Sequence, residues 1–536
     1  MRRRLAVARQ IQSRPRGRAA RSTYRDFFAD PRHGCDRASL EGVATDRNSA
    51  RSVGGAASPR SRSACPLMAL TIPVRSRAIA DQRVIHVSDS GEFFASGGDF
   101  MDRMLAGAST HSDEIFLRDR GHIAESGDPF QETVRLFNLA QRWSRTGTVD
   151  YLILVPTLRC NLSCSYCQVS RVTDKAQGFD WSDATLVAVL AFIDALPTNH
   201  IKVEFQGGEP TLRPDLIQAV IKRCDRFEQK QFVICTNLQS IDATLWSIFD
   251  NEHLYISTSL DGTAATHANQ RTGNRTSAFL DNLAAVIERY GPEKVSALPT
   301  IDPKAPPEID EIIDTYKSYG LDSVFLRPIN YQGFARKRHR YSRELDESWN
   351  AYHRAFVERI IAINWQDRTR VLEETYFSIC LRRIFQPRAD RHVDLRNPNP
   401  LAVDYLVIDH DGTIYPTDEA RMLARSGVID LGLGKIGDDW KGETWELLNG
   451  HCSNAFDPAC ERCAYQPFCG KDVIDDLARY GTIDVDRTET AFCQKHLAIF
   501  DHIFELIYRD DERVNYSFSR WLRMDGTAAA FGEHIA

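Results

Sequence analysis

The chain has 536 residues, 43% hydrophobic and 26% charged, which gives room for about two to four domains and a large core. No stretch reaches 18 apolar residues, so no membrane span is expected, and 13 cysteines are too sparse for a secreted disulfide scaffold. The net charge of −6 hides an asymmetry: residues 1–67 hold 15 Arg, no Lys and 5 acidic residues, so they carry +10 and the remainder carries −16.

In chain order, residues 1–67 lack the apolar run of a secretory signal. They also lack apolar periodicity, so they are not expected to fold. Three origins stay open: a basic arm for nucleic acid, a transit peptide, or a stretch upstream of a start at Met68. Residues 68–146 read as a small α+β module. A strand at 84–87, a turn at 89–91, a second strand at 92–95 and a helix opening at 100–105 make up its start. From 147 to 340, strand and helix alternate. Strands are expected at 151–155, 201–205, 232–236, 255–260, 295–298 and 323–326, with helices at 184–196, 216–227, 245–249, 278–290 and 309–319. Such repeats imply an α/β fold with a parallel sheet closing on itself, its ligand loops at the C-terminal strand ends. Residues 341–400 read as a helical linker, 401–510 as a second cysteine-bearing domain, and 511–536 as a tail.

The first strand runs into Cys160, Cys164 and Cys167, spaced CxxxCxxC. Three thiolates on one short loop can hold three irons of a cubic iron–sulfur cluster, leaving the fourth open to a small molecule. The plainer readings are a zinc knuckle or buried thiols. Zinc wants a fourth ligand, and the loop offers none. After the second strand comes Gln206-Gly207-Gly208-Glu209-Pro210. Its glycines would let a ligand approach the backbone, and Glu209 would accept hydrogen bonds from an ammonium. Asn237 follows the third strand, Ser259 and then Arg271 the fourth, and Arg327-Pro328 the sixth. A second group comprises Cys460, Cys463, Cys469 and Cys493. Four thiolates suit an iron–sulfur cluster or a structural zinc equally on ligand type. Cys35, Cys65, Cys224, Cys235, Cys380 and Cys452 have no assigned role.

The CxxxCxxC loop with an aromatic at Tyr166, followed by the GGEP run, resembles the radical S-adenosylmethionine (SAM) superfamily. That resemblance implies a partial (βα)6 barrel and a [4Fe–4S] cluster on Cys160, Cys164 and Cys167, with SAM bound beside it. It places Gly207, Gly208 and Glu209 at the methionine amino group, Ser259 and Arg271 at the ribose and carboxylate, Tyr166 near the adenine, and Asn237 nearby. The second cysteine group resembles the SPASM extension of peptide-modifying members, whose fuller form has cysteines where this chain has Thr417 and Val473. With that set incomplete, the resemblance implies one auxiliary [4Fe–4S] cluster, hence two clusters in all. The 68–146 module resembles winged-helix peptide-recognition modules, the other reading being a plain cap on the barrel.

The runs Tyr415-Pro-Thr-Asp-Glu-Ala-Arg-Met422 and Cys463-Ala-Tyr-Gln-Pro-Phe-Cys-Gly470, with the first cysteine loop, resemble the His-Xaa-Ser system radical SAM maturase family (HxsB) over roughly residues 80–520. The resemblance implies a cytoplasmic enzyme that crosslinks side chains of a ribosomally made precursor peptide. It implies a second radical SAM maturase as partner, and flavodoxin or ferredoxin as electron donor, with neither nucleic acid nor membrane involved. Asp418 takes the place of a general base in the related motif, the alternative being a capping or salt-bridged carboxylate. Formylglycine formation on a serine or cysteine, and a non-enzymatic iron–sulfur or zinc adaptor, are the competing functions.

Overall fold

A computed structural model describes residues 70–71, 73–124, 129–143, 147–333, 335–387 and 395–535. The Arg-rich segment 1–67 and Met68 lie outside these residues. The N-terminal module is an antiparallel meander of β1 (Val74–Ala78), β2 (Val84–Ser88) and β3 (Phe93–Ser96), followed by α1 (Phe100–Leu105), α2 (His111–Asp119) and α3 (Pro129–Arg142). Its small core is Phe94, Phe100, Leu117 and Ile123.

Five parallel strands follow: β4 (Tyr151–Thr157), β5 (His200–Gly207), β6 (Gln229–Cys235), β7 (Leu254–Ser259) and β8 (Val295–Leu298), side by side in chain order. The intervening helices are α4 (Asp183–Ala195), α5 (Pro214–Arg223), α6 (Ala243–Phe249) and α7 (Thr276–Tyr290), with α8 (Ile309–Ser318) after β8. Ser182 caps α4 and Asp242 caps α6, each accepting from a backbone N–H of the first turn. Burial along β5 alternates strictly. Ile201, Val203 and Phe205 point into the packed core, while Lys202, Glu204 and Gln206 on the other face are only half-buried. A parallel strand sealed on both faces would be apolar throughout. This one carries polar residues because its inner face lines a cavity.

The structure corrects three expectations. The sixth strand, expected at 323–326, is broken into two short pairings. Ser323–Val324 joins Glu373–Glu374, and Arg327–Pro328 joins Thr300–Ile301. Pro299 and Pro328 lack the N–H groups needed to carry a ladder on from β8. Secondly, the boundary drawn at 401 cuts through the barrel sheet. Strand β9 (Tyr405–Ile408) pairs parallel with the free edge of β4, and β10 (Thr413–Tyr415) and β11 (Gly434–Lys435) extend it antiparallel to eight strands. Thirdly, residues 511–536 are not a tail. After α9 (Arg343–Gln366), α10 (Thr375–Phe385), α11 (Asp418–Ser426), α12 (Val473–Tyr480) and α13 (Ala491–Ile507), helix α14 (Glu512–Trp521) buries Val514, Phe518 and Trp521 in the main core. Then β12 (His534–Ile535) pairs parallel with β3. The 514, 518, 521 spacing is one helical stripe, carried on an otherwise polar segment. No described helix is long and apolar enough to cross a membrane.

Trp521 is 1% exposed and its indole donates to the Leu372 carbonyl at 2.7 Å. Trp521→Ala is expected to cost about 3–5 kcal/mol, read as a lower urea midpoint. A loss below 1 kcal/mol would restore the tail reading.

Candidate active site

At the C-terminal ends of the strands, one cavity of about 1350 Å³ opens through the barrel. Its wall includes Cys160, Cys164, Tyr166, Cys167, Gly207, Gly208, Glu209, Asn237, Ser259, Arg271 and Asp418. Residues spread over 259 positions of sequence thus meet at one place. Cys460, Cys463, Cys469 and Cys493 do not line it.

The cysteine loop is held by close backbone packing. Gly208 N donates to the Thr157 carbonyl at 3.0 Å, and Glu209 N to the Arg159 carbonyl at 2.8 Å. A Cβ on Gly207 would lie 2.2 Å from the Thr157 oxygen, and one on Gly208 would lie 2.2 Å from the Arg159 oxygen. Gly207 also has φ +132°, a conformation open to glycine. These glycines were expected to admit a ligand. The space their missing side chains leave is filled by the cysteine loop itself. At the loop's far end, a Cβ on Gly333 would meet the Gln168 carbonyl at 1.6 Å, and Ala335 N donates to the Cys167 carbonyl at 3.1 Å.

Glu209 is buried, and its carboxylate is engaged within the chain. It accepts from Thr211 N and Oγ1, the latter at 2.7 Å, and from Asn237 N at 2.8 Å. Burial pushes its pKa up against these bonds. Asn237 donates to Asn161 Oδ1 at 2.8 Å and sits 3.9 Å from Cys160 Sγ. Burial, then the Glu209 charge, pushes the Cys160 thiol up to about 12. The Cys164 thiol is also raised by burial, with Arg271 opposing.

The sequence reading missed the hub of the opposite wall. Asp261 is fully buried and accepts from the Tyr166 hydroxyl, from Arg271 Nε at 2.7 Å and from Thr300 N at 2.9 Å. Arg271 lies 4.8 Å over the Tyr166 ring. His267, held neutral with its pKa lowered to about 4 by burial, receives the Asp261 N–H on Nδ1 at 3.4 Å. The available signal was position: Asp261 stands two residues past Ser259, at the same strand end. Ser259 lies at the last residue of β7 and lines the cavity.

Deeper in the barrel, Glu204 accepts from Tyr151 Oη at 2.7 Å, Gln206 Nε2 at 2.5 Å and Cys235 Sγ at 3.4 Å. Asp418 opens α11 beside the cap Thr417, whose hydroxyl accepts from Ala420 N at 3.0 Å. Arg421, fully buried, donates Nε to Asp418 at 2.7 Å and stands 3.9 Å from Asp409. Asp418 is therefore both salt-bridged and on the cavity wall.

The second cysteine group lies on adjoining turns. Asp457 caps the turn bearing Cys460, Cys463 N donates to the Cys460 carbonyl, and Thr490 caps α13 through Cys493 N at 3.2 Å. Each of the four thiols is raised mainly by burial, and Cys460, Cys469 and Cys493 also feel others of the set. Among the described residues no three of their sulfurs lie within 4.8 Å of one another. Thr417 and Val473, where fuller relatives would carry cysteines, have other work: Thr417 caps α11, and Val473 packs α12 against Ala420 and Leu423.

Residues 154–316 match the Radical SAM superfamily, so the barrel is a radical SAM domain. Among curated proteins, the chain is 26% identical over 182 residues to the uncharacterized protein MJ0907 of Methanocaldococcus jannaschii, covering 33% of this chain and 61% of that one. It is 33% identical over 91 residues to GTP 3′,8-cyclase of Chlorobaculum tepidum, covering 17% and 26% respectively. The chain thus spans less than two thirds of either relative. Among solved structures, anSMEcpe with bound AdoMet aligns at TM-score 0.54 and 17% identity, over 66% of this chain and 96% of that one. The same protein with AdoMet and the Cp18Cys peptide aligns at 0.53, over 66% and 97%. These likenesses show the fold.

Gly208→Ala is expected to displace the cysteine loop, because both oxygens in its way are backbone. A loss of about 1–3 kcal/mol should accompany faster thiol-reagent labelling of Cys160. Unchanged labelling and stability would show that the glycine is not needed for loop packing.

Proposed function

We propose that this protein is a radical SAM enzyme that modifies a ribosomally made peptide carrying His-Xaa-Ser repeats, by hydrogen abstraction and side-chain crosslinking. The observation that carries the proposal is the shared cavity, which gathers the three thiols, the expected SAM residues and Asp418. The donor set fits a cluster with one open iron: three thiols on one loop, while the other lining thiol, Cys235, donates to Glu204. When bound, the cluster and SAM supply one electron and a primary carbon radical able to take hydrogen from an unactivated carbon.

The chain's own residues bind, orient and move protons. Cys160, Cys164 and Cys167 would hold the cluster, on a loop locked by Gly207 and Gly208. Arg271 and Tyr166, both fixed by Asp261, form a rigid cation–π wall for SAM. Ser259, Asn237 and Glu209 complete that side. Glu209 acts largely through the loops it ties together. The barrel lumen, with Glu204, Gln206 and Asp418, offers acceptors to a polar peptide side chain. As the crosslink forms, Asp418 accepts the proton, Arg421 keeps its carboxylate oriented, and the remaining electron would leave to a one-electron acceptor, which a cluster on the second cysteine group would supply.

A precursor peptide as partner accords with the fold likeness to anSMEcpe, whose structure holds a peptide beside AdoMet. The proposal includes a cytoplasmic setting, a flavodoxin or ferredoxin as electron donor and a second radical SAM maturase as partner. The second cysteine group is read as an auxiliary [4Fe–4S] site. A zinc tetrahedron with bonds of about 2.3 Å needs sulfurs about 3.8 Å apart, and a cubane spreads its thiolates wider. Four thiols on adjoining turns are the donor set that supports this reading, with zinc as the outcome that would oppose it.

Two experiments test this reading. Anaerobic reconstitution should give about eight irons per chain, four per cubane. The triple Cys160, Cys164, Cys167→Ala variant should keep about half. About twelve irons would mean a third cluster and contradict the roles of Thr417 and Val473. Co-expression with a His-Xaa-Ser peptide should yield product lighter by two hydrogens. Asp418→Asn should cut crosslinked product by about 10²–10⁴, far more than it cuts deoxyadenosine. If both fell in step, Asp418 would be a SAM-positioning residue.

A further inference from the structure

The two thiol sites sit in unequal electric fields. Around the second, cations converge from four separate parts of the chain. Arg75 and Arg77 come from β1 of the N-terminal module and act on Cys463. Arg75 Nε donates to the Glu461 carbonyl at 2.6 Å. Arg77 pairs with Asp501 at 2.6 Å and lies 5.5 Å over the Tyr465 ring, two residues from Cys463. Arg383 of α10 donates to the Phe468 carbonyl at 2.7 Å and acts on Cys469. Lys471 follows two residues after Cys469 and acts on Cys460. Arg487, buried and ion-paired with Asp476, faces Cys460 and Cys493. Five cations therefore face these thiols, against three carboxylates, Asp457, Asp476 and Asp501.

At the first site the charges come closer to balance. Cys160 faces the buried Glu209 carboxylate. Cys164 faces Arg271, whose charge is met by the fully buried Asp261. A cluster on cysteine thiolates carries net negative charge, and reduction adds one more. Nearby cations stabilise the reduced form, and nearby anions oppose it.

We propose that Arg75, Arg77, Arg383, Lys471 and Arg487 form a cationic collar that raises the reduction potential of a cluster held by Cys460, Cys463, Cys469 and Cys493 above that of a cluster held by Cys160, Cys164 and Cys167. The proposal rests on reading the second cysteine group as an iron–sulfur site. It gives the N-terminal module a role in electron transfer, because two of the five cations belong to its first strand. It also gives the electron a direction, since the site remote from the cavity becomes the easier one to reduce.

The test is a potentiometric titration of the reconstituted full chain followed by electron paramagnetic resonance. SAM addition marks the signal of the first site. Arg77 is partly exposed, and a lysine in its place controls for its packing on Tyr465. Arg77→Gln should lower the reduced-to-oxidised ratio of the second cluster about tenfold at fixed potential, about 59 mV for one electron. Arg77→Lys should restore most of it. Asp457→Asn keeps the helix cap while removing an anion, and should shift the same ratio upward. The first cluster should move in none of these. If the second signal is present and neither Arg77→Gln nor Asp457→Asn moves it, the collar is overturned. If that signal is absent and zinc is stoichiometric, the cluster reading itself fails, and the collar with it.

Discussion

The cavity depends on one constraint, the absence of side chains at Gly207 and Gly208. Parallel strands β4 and β5 end together, and the chain must then turn the Thr157–Cys160 backbone across the end of its neighbour. It does so at a separation that no Cβ would permit, since the opposing carbonyl oxygens stand 2.2 Å from where each Cβ would be. Two backbone hydrogen bonds fasten the contact, and Glu209, next in sequence, reaches Asn237 at the end of the following strand. Three strand ends are thereby tied into one rim. A thiol loop fixed at both ends, by Gly208 near Arg159 and by Gly333 near Gln168, presents its sulfurs to the cavity at little entropic cost when metal binds.

A second tie closes the opposite wall. Asp261 collects Tyr166 from the cysteine loop, Arg271 from beyond β7 and the Thr300 backbone from beyond β8. Removing it would leave the half-buried Arg271 guanidinium without its counter-charge, a costly state away from bulk water. The residues expected to touch SAM are thus a preorganised set, and much of their cost has already been met in folding.

The thiol loop, the GGEP run and the alternation of strand and helix were legible because their signals are local: spacing, glycine, and a period that repeats. The hub role of Asp261 was not. A carboxylate after a strand reads equally as a turn residue, and only tertiary structure brings Tyr166 to it from 95 positions away. The broken sixth strand was marked by Pro299 and Pro328, but the apolar run at 323–326 masked the ladder's loss of donors. The C-terminal helix hid its stripe, Val514, Phe518 and Trp521, among charged and polar neighbours. The packing role of the glycines was hidden for a related reason. Sequence shows that a side chain is missing, and only packing shows what fills the gap.

Thr417 and Val473 serve the fold around α11 and α12, the first as a helix cap and the second in the apolar cluster with Ala420 and Leu423. The central claim remains the one at the cavity: that Cys160, Cys164 and Cys167 hold the cluster that cleaves SAM. The direct measurement is 5′-deoxyadenosine formed by the reconstituted, reduced protein supplied with SAM. The account predicts deoxyadenosine from the natural chain and none from the chain with all three cysteines replaced by alanine, which should stay folded and keep its second cluster. Deoxyadenosine from that variant, or none from the natural chain with both clusters loaded, would contradict it.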